Sequence, residues 1–288
     1  MKYAFFGSPR FAKIVLENLV KHGEVPVALI CNPDRPVGRD KTITSPETKQ
    51  FIKEAGLEGR VRIFQPEKTR EIIEDLKGLG VEIFIVAAYA KIIPEEVLQI
   101  PLWGAMGVHP SLLPLYRGPS PLQMALLDGV EKTGVSIYKM DKEVDHGPVL
   151  GVKELDIKNK SIFYSELEEM LAILGAKAVL EFVPQYLEGK LSPKEQGHAL
   201  ATFTSKFETQ DGFVDYKILE QAKNGDSKEA ALKIERMIRA LTPEPGVWTS
   251  VPQKEGGEKR LKLLKAIINN DKLVLQSGQW EGKKPQNF

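Results

Sequence analysis

Val81-Glu82-Ile83-Phe84-Ile85-Val86-Ala87-Ala88 is the strongest strand signal in the chain, with seven apolar residues in eight and no polar alternation. A strand of that kind is covered on both faces, as in the centre of a parallel sheet flanked by helices. Upstream, Lys2–Phe6 is a short apolar run that ends at Gly7. Pro9 stands where a helix can open, and Phe11, Ile14, Val15 and Leu19 fall on one helical face. Val25–Ile30 reads as a buried strand, and Ser45-Pro46 as the N-cap and first residue of a helix reaching Ala55. Downstream, Ala105–Val108 is a shorter strand and Pro121–Leu127 a helix. Gly134–Met140 and Pro148–Leu155 read as an antiparallel pair, and Ser161–Leu187 as a long helix. This alternation predicts an α/β domain over residues 1–190, built on a doubly wound, mostly parallel sheet.

After Leu191-Ser192-Pro193 the texture changes. Residues 191–229 are polar and predict a linker with little core. Ala230, Ile234, Met237, Ile238 and Leu241 then mark an amphipathic helix, with Asp226 and Glu229 spaced as a capping box. Thr242-Pro243-Glu244-Pro245-Gly246 stops it. Val247–Val251, Leu261–Ile268 and Leu273–Gln276 read as strands. Residues 230–288 are thus a small β domain, too short to hold a core of its own.

Composition narrows the class. At 288 residues, 42% hydrophobic and 27% charged, the chain is neither disordered, collagenous nor a coiled coil. A net charge of +1 is far from that of a protein that lives by wrapping nucleic acid. The charge is uneven, however: residues 251–288 sum to +4 and the first 250 to −3, which hints at a basic module facing an anion. A single cysteine, Cys31, excludes a disulfide framework and a cysteine zinc site. No apolar run approaches the roughly 20 residues of a bilayer span, and Met1–Gly7 is too short in apolar residues to be expected as a signal peptide. The expectation is a cytoplasmic protein with no membrane partner.

Several catalytic signatures are missing. The turn after the first strand is Gly7-Ser8-Pro9 rather than a G-x-G-x-x-G fingerprint, and there is no P-loop, H-E-x-x-H or G-x-S-x-G. The four histidines have no metal spacing, so no metal is expected. An open α/β sheet still binds its ligand at the carboxyl ends of its strands.

One stretch stands out there: Gly107-Val108-His109-Pro110-Ser111-Leu112-Leu113-Pro114-Leu115-Tyr116-Arg117-Gly118-Pro119-Ser120-Pro121. His109 sits at the predicted end of a strand, and four prolines stiffen the loop that follows. Further on comes Met140-Asp141-Lys142-Glu143-Val144-Asp145-His146-Gly147, a polar loop closing another strand. A histidine and an aspartate on adjacent strand ends suit general acid–base work. On the residues alone, a structural histidine and a turn-forming aspartate remain the commoner reading.

His-Pro-Ser-Leu-Leu-Pro, then Tyr-Arg-Gly, with Met-Asp and Asp-His-Gly downstream, resembles the folate-dependent formyltransferase family. Phe6–Ala12, Asn32–Lys41 followed by Ser45-Pro46, Phe64–Pro66, Ala88–Pro94, Ala201–Phe203 and Arg239–Thr249 match it in place, so the resemblance covers nearly the whole chain. It implies a Rossmann-like formyltransferase fold with a small, reduced OB-like C-terminal domain. It implies transfer of a formyl group from 10-formyltetrahydrofolate to the amino group of methionyl-initiator tRNA. The Asn32-Pro33-Asp34-Arg35-Pro36 loop and the Pro-x-Pro-Gly-x-Trp stretch separate this branch from sugar-nucleotide N-formyltransferases, which are the alternative.

The family's catalytic residues are an Asn, a His and an Asp. The resemblance places the His at His109 and the Asp at Asp145, where the carboxylate orients the imidazole. It puts folate against Ser111, Leu112, Leu113, Pro114, Tyr89, Ile92, Met140 and Asp141, and tRNA against Arg35, Arg39 and Lys41. The Asn position is Gly107, which has no side chain. Three consequences compete: a weakly active or non-catalytic homologue, a water in the vacated space, or a donor from elsewhere such as Gln123. The matching expectation is that Gly107→Asn raises the rate. Ala90 and Asp40 replace glycines of the family pattern. A monomer is expected.

Overall fold

The computed structural model describes every residue except Arg39, Lys254 and Glu255. The chain divides into two units, one of Met1–Gly118, Thr133–Leu155 and Glu168–Phe203, the other of Pro119–Lys132, Asp156–Leu167 and Thr204–Phe288.

In chain order the elements are β1 (Tyr3–Phe6), α1 (Arg10–Lys21), β2 (Ala28–Ile30), β3 (Arg35–Val37), β4 (Thr42–Thr44), α2 (Glu47–Glu54), β5 (Arg62–Phe64), α3 (Ile73–Leu79), β6 (Ile83–Val86), α4 (Glu95–Leu98), β7 (Ala105–His109), α5 (Pro121–Asp128), β8 (Lys132–Lys139), β9 (Val149–Asp156) and α6 (Tyr164–Leu187). They continue with α7 (Tyr216–Asn224), α8 (Lys228–Leu241), β10 (Val247–Pro252), β11 (Glu258–Asn269), β12 (Lys272–Trp280) and β13 (Gln286–Asn287).

The main sheet has the order β5-β2-β1-β6-β7-β8-β9. The pairings from β5 through to β7 are parallel, and β8 runs against β7. The apolar 81–88 stretch therefore supplies the central strand β6, whose residues are all buried. Phe6, Phe84, Ile30 and Val97 meet in one core cluster. Gly175 on α6 marks a close approach of helix to sheet, since a Cβ there would lie 2.8 Å from the Val108 side chain. By length and composition α6 could cross a bilayer, but its Leu171, Ala172, Val179 and Val183 are buried in the protein.

In the second unit β10-β11-β12-β13 form an antiparallel sheet, but that unit also takes in Pro119–Lys132, Asp156–Leu167 and the segment from Thr204, beyond the 230–288 expected from the sequence. Its strands are longer than expected, with β11 reaching Asn269 and a β-bulge near Lys265. Arg239 on α8 is buried and held by both carboxylate oxygens of Glu235, at 2.6 and 3.0 Å.

Several local readings shift. Pro46, not Ser45, is the N-cap residue of α2, and it makes no side-chain cap. α8 is capped by Ser227, whose hydroxyl accepts from Ala230 N–H, and not by an Asp226–Glu229 box. β3 and β4 pair antiparallel, Arg35 with Thr44 and Val37 with Thr42, where the sequence suggested a bare loop. Residues 191–229 carry more structure than a linker, including α7 with Leu219 and Ala222 buried.

Cys31 follows β2 and is fully buried. Burial pushes its thiol up to about 12 against the pull of Lys49, so the thiolate that reacts with disulfide reagents is suppressed. The native protein is expected to give no reaction with a thiol reagent at about pH 8, where an exposed cysteine is partly ionised. The denatured protein should titrate one thiol per chain, and a fast native reaction measured by absorbance would contradict this packing.

Candidate active site

Side chains alternate along a strand, so Gly107 and His109 share one face of β7. Across the ladder Gly107 pairs with Tyr138 and His109 with Ser136, which brings Tyr138 and Ser136 to the same face. His109, the last residue of β7, is only 6% exposed. Its Nε2 lies 2.9 Å from the Tyr116 carbonyl, which can only accept, so that nitrogen carries the proton. Its Nδ1 faces Asp145 Oδ2 at 3.5 Å.

Asp145 reaches His109 by a route the sequence did not suggest. Because β8 is antiparallel, its C-terminal end lies level with the start of β7, and Met140 N–H bonds to Ala105 O at 2.8 Å. The two residues are therefore not on adjacent strand ends. The 141–147 loop folds back over the face instead, with Asp145 at φ 49°. The Asp145 side chain is 13% exposed and both its oxygens are engaged. Oδ2 accepts Gly118 N–H at 2.7 Å, and Oδ1 accepts the Tyr138 hydroxyl at 2.7 Å. Burial first, then the Asp145 charge, holds the Tyr138 phenol well above its ordinary range, so it stays a neutral donor.

The space beside Gly107 is occupied by this tyrosine. A Cβ at position 107 would lie 2.2 Å from Tyr138 Cε1 and 2.9 Å from its hydroxyl oxygen. The Tyr138 ring occupies that space, which leaves none for a water or for the Gln123 side chain to fill. The expectation that Gly107→Asn improves the site by itself is corrected on the same ground: the side chain has nowhere to go.

The rigid loop after His109 is held by its own polar groups. Ser111 is fully buried and its hydroxyl donates to Leu115 O at 2.6 Å, so it shapes the loop and is not free for a ligand. Ser136 Oγ donates to Ser111 O at 2.8 Å and accepts Leu113 N–H at 3.0 Å. The Leu113-Pro114 peptide is cis. Leu113 is buried, while Leu112 and Pro114 remain half-buried.

Residues 194–203, read from sequence as linker, buttress both loops. Gln196 Nε2 donates to the carbonyls of Asp145 and Gly147 at 2.9 and 2.7 Å. Its Oε1 accepts from Arg117, which is 3% exposed, at 2.7 and 3.1 Å. The same guanidinium lies 2.8 Å from His198 Nδ1, and His198 stacks on His146 at 4.3 Å. Thr202 takes Tyr116 N–H on its hydroxyl and Arg117 N–H on its carbonyl. Tyr138, Gln196 and Thr202 were not candidates on sequence, because isolated polar residues in a polar stretch and a tyrosine in a strand carry no periodic mark.

The remaining candidates fall in two groups. Tyr89, after β6, sets its ring edge against Phe6 at 5.4 Å, and Ile92 is 89% exposed. Burial raises the Tyr89 hydroxyl above its usual range. Met140 packs with Tyr89 on the same core cluster, and Asp141 Oδ2 accepts from His146 Nδ1 at 2.8 Å. Arg35 and Lys41 lie exposed on the β3–β4 hairpin, where Arg35 pairs with Glu67 at 2.7 Å. Arg39 lies outside the described residues. At the hairpin's base the Gln65 amide, with Lys49, holds the Asp34 carboxyl below its usual range.

A hollow of about 270 Å³ in this unit is lined by Lys2, Val27, Val61, Arg62 and Leu79. Lys2, Val27, Val61 and Arg62 precede or open β1, β2 and β5, and Leu79 ends α3 ahead of β6, so the hollow lies at the amino ends of the parallel strands, opposite to where such sheets bind ligands. Among the described residues no cluster of three His, Cys, Asp or Glu side chains could hold a metal.

The chain thus combines a doubly wound sheet, with a buried His–Asp pair on its β7–β8 face, and a small antiparallel β sheet. Residues 1–183 match the formyl transferase family and residues 226–285 the formyl transferase C-terminal domain. The chain belongs to the formyl transferase family. It is 38% identical to the methionyl-tRNA formyltransferase of Dictyoglomus thermophilum over 100% of this chain and 95% of that protein. Its fold is that of the methionyl-tRNA formyltransferase from Clostridium thermocellum, with a TM-score of 0.61, 17% identity, and 98% and 99% of the two chains covered. HypX from Aquifex aeolicus in complex with tetrahydrofolic acid shares the fold at a TM-score of 0.65 and 15% identity, covering 100% of this chain and 46% of that one.

Gly107→Ala tests the packing directly. The added Cβ is expected to cost about 1–3 kcal/mol by overpacking, read as a lower Tm in a thermal melt. Combining it with Tyr138→Ala should abolish the penalty of the methyl group, whereas additive losses would place the ring elsewhere.

Proposed function

We propose that this protein transfers the formyl group of 10-formyltetrahydrofolate to the α-amino group of methionine on initiator tRNA. The observation that carries the reading is the pairing of His109 Nδ1 with the Asp145 carboxylate at 3.5 Å on a buried face of a formyl transferase sheet. The likeness to the curated relative over the full chain directs the choice of acceptor to methionyl-tRNA.

Formyl transfer needs an amine lone pair to add to the formyl carbon while the carbonyl electron pair moves to oxygen. Collapse then expels the folate nitrogen, which takes up the proton that the amine gives away. Asp145 would take that proton, and the His109 Nδ1 lone pair, 3.5 Å from Oδ2, is the acceptor that would then share it. Gly118 N–H and Gln196 fix the carboxylate loop, so the pair is preorganised and pays little reorganisation at the moment of attack. The half-buried Leu112 and Pro114, together with Tyr89, Met140 and the exposed Ile92, are the apolar groups offered to the pterin.

The tRNA side rests on charge. Arg35 and Lys41 extend from the hairpin, with Arg39 between them in sequence. In the second unit Lys262 and Lys265 are exposed on β11, and Arg260 stacks over Trp248 at 4.0 Å. Lysines on such a sheet can follow a phosphate backbone without reading sequence. Charged tRNA is a cytoplasmic pool, so the reaction belongs to the cytoplasm.

The decisive experiment mixes enzyme in excess with 10-formyltetrahydrofolate and methionyl-initiator tRNA in a single turnover. Formylmethionyl-tRNA is the expected product, with no formylation of an amino-sugar nucleotide in the same mixture. Product on the sugar nucleotide alone would move the protein to the sugar branch. Asp145→Asn and His109→Ala should each lower kcat on the order of 10²–10⁴-fold. A kcat near that of wild type in both would dismiss the pair from the chemistry.

A further inference from the structure

We propose that Tyr138 is the hydrogen-bond donor that stabilises the developing formyl oxyanion, in the place that Gly107 leaves without a side chain. The inference rests on the formyl-transfer reading above and names the group that reading lacks.

Formyl transfer raises negative charge on the formyl oxygen, and a donor aimed at that oxygen from a dry site is worth more than one in water. The donors on the β7–β8 face can be taken one by one. His109 Nε2–H is spent on the Tyr116 carbonyl. The Ser111 hydroxyl is spent on Leu115 O, and the Ser136 hydroxyl on Ser111 O. These three hold backbone carbonyls that keep the loop in shape, and none of those carbonyls changes during the reaction. The Tyr138 hydroxyl differs, because its acceptor is Asp145 Oδ1, a group that itself changes charge as the amine loses its proton.

That difference supplies a switch. While Asp145 is a carboxylate, it holds the phenol O–H at 2.7 Å. When the carboxylate takes the amine's proton, its attraction for the phenol O–H falls, at the same stage that the oxyanion appears. A hydroxyl hydrogen turns about its C–O bond to suit its partner. The phenol then donates to the oxyanion and keeps its own proton throughout, so no bond at Tyr138 breaks. Asp145 passes its proton to the departing folate nitrogen, and the phenol O–H returns to Oδ1.

The surroundings suit that part. Tyr138 is 4% exposed, and the His109 and Tyr138 rings stand edge to face, 6.5 Å apart. The hydroxyl oxygen lies 2.9 Å from where a Cβ at position 107 would begin. A short polar side chain rooted on β7 would therefore place its end group in the volume that the phenol reaches from β8. Glycine at 107 is what makes the room. The resemblance assigns an amide to that very position, and the phenol delivers a neutral donor to it from the neighbouring strand.

Tyr138→Phe keeps the ring and removes only the hydroxyl. The expected result is a fall in kcat on the order of 10²–10³-fold, with KM for folate and tRNA changed by less than about threefold. A kcat loss below about tenfold, or a loss confined to KM, overturns the proposal. The reciprocal double variant, Gly107→Asn with Tyr138→Leu, removes the ring and supplies an amide from β7. It is expected to recover kcat to within about tenfold of wild type, and it decides the matter if Tyr138→Phe does not fold. Recovery supports the shared donor position, and a rate as low as that of the single variant Tyr138→Leu overturns it. Wild-type enzyme in the same assay separates the two levels of inference: no formylation by wild type defeats the functional reading itself, whereas active wild type with an equally active Tyr138→Phe defeats only the role of the phenol.

Discussion

A carboxylate held mostly out of water has to be satisfied by donors at fixed positions, and Asp145 sets that requirement for the whole site. An ionised group buried without partners costs several kcal/mol or more and is avoided. Here one oxygen takes a phenol O–H and the other a backbone N–H, from Tyr138 and Gly118. Meeting both demands fixes a strand, the end of the proline-rich loop and the 141–147 loop relative to one another. The left-handed backbone at Asp145 and Tyr116 follows from the same closure, since both residues sit where a loop must turn sharply to present a polar group.

The pairing of a glycine with a large aromatic across two strands is a volume-conserving arrangement. β7 gives up a side chain, and β8 lays a ring over the gap. Cross-strand partners on one face are the unit in which sheets trade volume. The two positions are consequently coupled, and a change at one is tolerated only with its counterpart at the other. That coupling explains how a formyl transferase sheet can lack a polar side chain at 107 and still carry a polar atom in the same place.

Much of this was legible from the sequence. The continuous apolar run at 81–88 identified the central strand, because burial on both faces leaves no polar position to interrupt it. The motif around His109 marked the candidate site, and Asp145 does lie 3.5 Å from His109, but by a fold-back of the 141–147 loop and not by the adjacent strand ends that the sequence suggested. The error has a physical source: sequence patterns record which residues are buried, but not whether the next strand runs up or down. Tyr138 was hidden for a related reason, since strand register, which sets it opposite Gly107, is a non-local property. Residues 194–203 were hidden because their work is done by single side chains, Gln196 and Thr202, that satisfy backbone groups elsewhere. The β3–β4 hairpin was missed because each strand is only three residues long, below the length at which alternation can be read.

An amide and a phenol are not equivalent donors, and the difference bears on how such a site has to work. A carboxamide nitrogen carries two hydrogens, so it can hold one acceptor permanently and offer the other hydrogen to a reacting oxygen. A phenol has one. In the resting site that hydrogen is donated to Asp145 Oδ1, and it can serve an oxyanion only by turning away from it. A site that relies on it must therefore weaken the resting acceptor at the moment the oxyanion forms. The proton coming off the attacking amine does this, since it neutralises the carboxylate that was holding the phenol. Burial keeps the exchange clean: the phenol is held far above its ordinary range and does not ionise in competition with the amine. Coupling between the base and the oxyanion donor is thus a consequence of using a hydroxyl with one hydrogen, and it follows from the same two bonds that hold Asp145 in the fold.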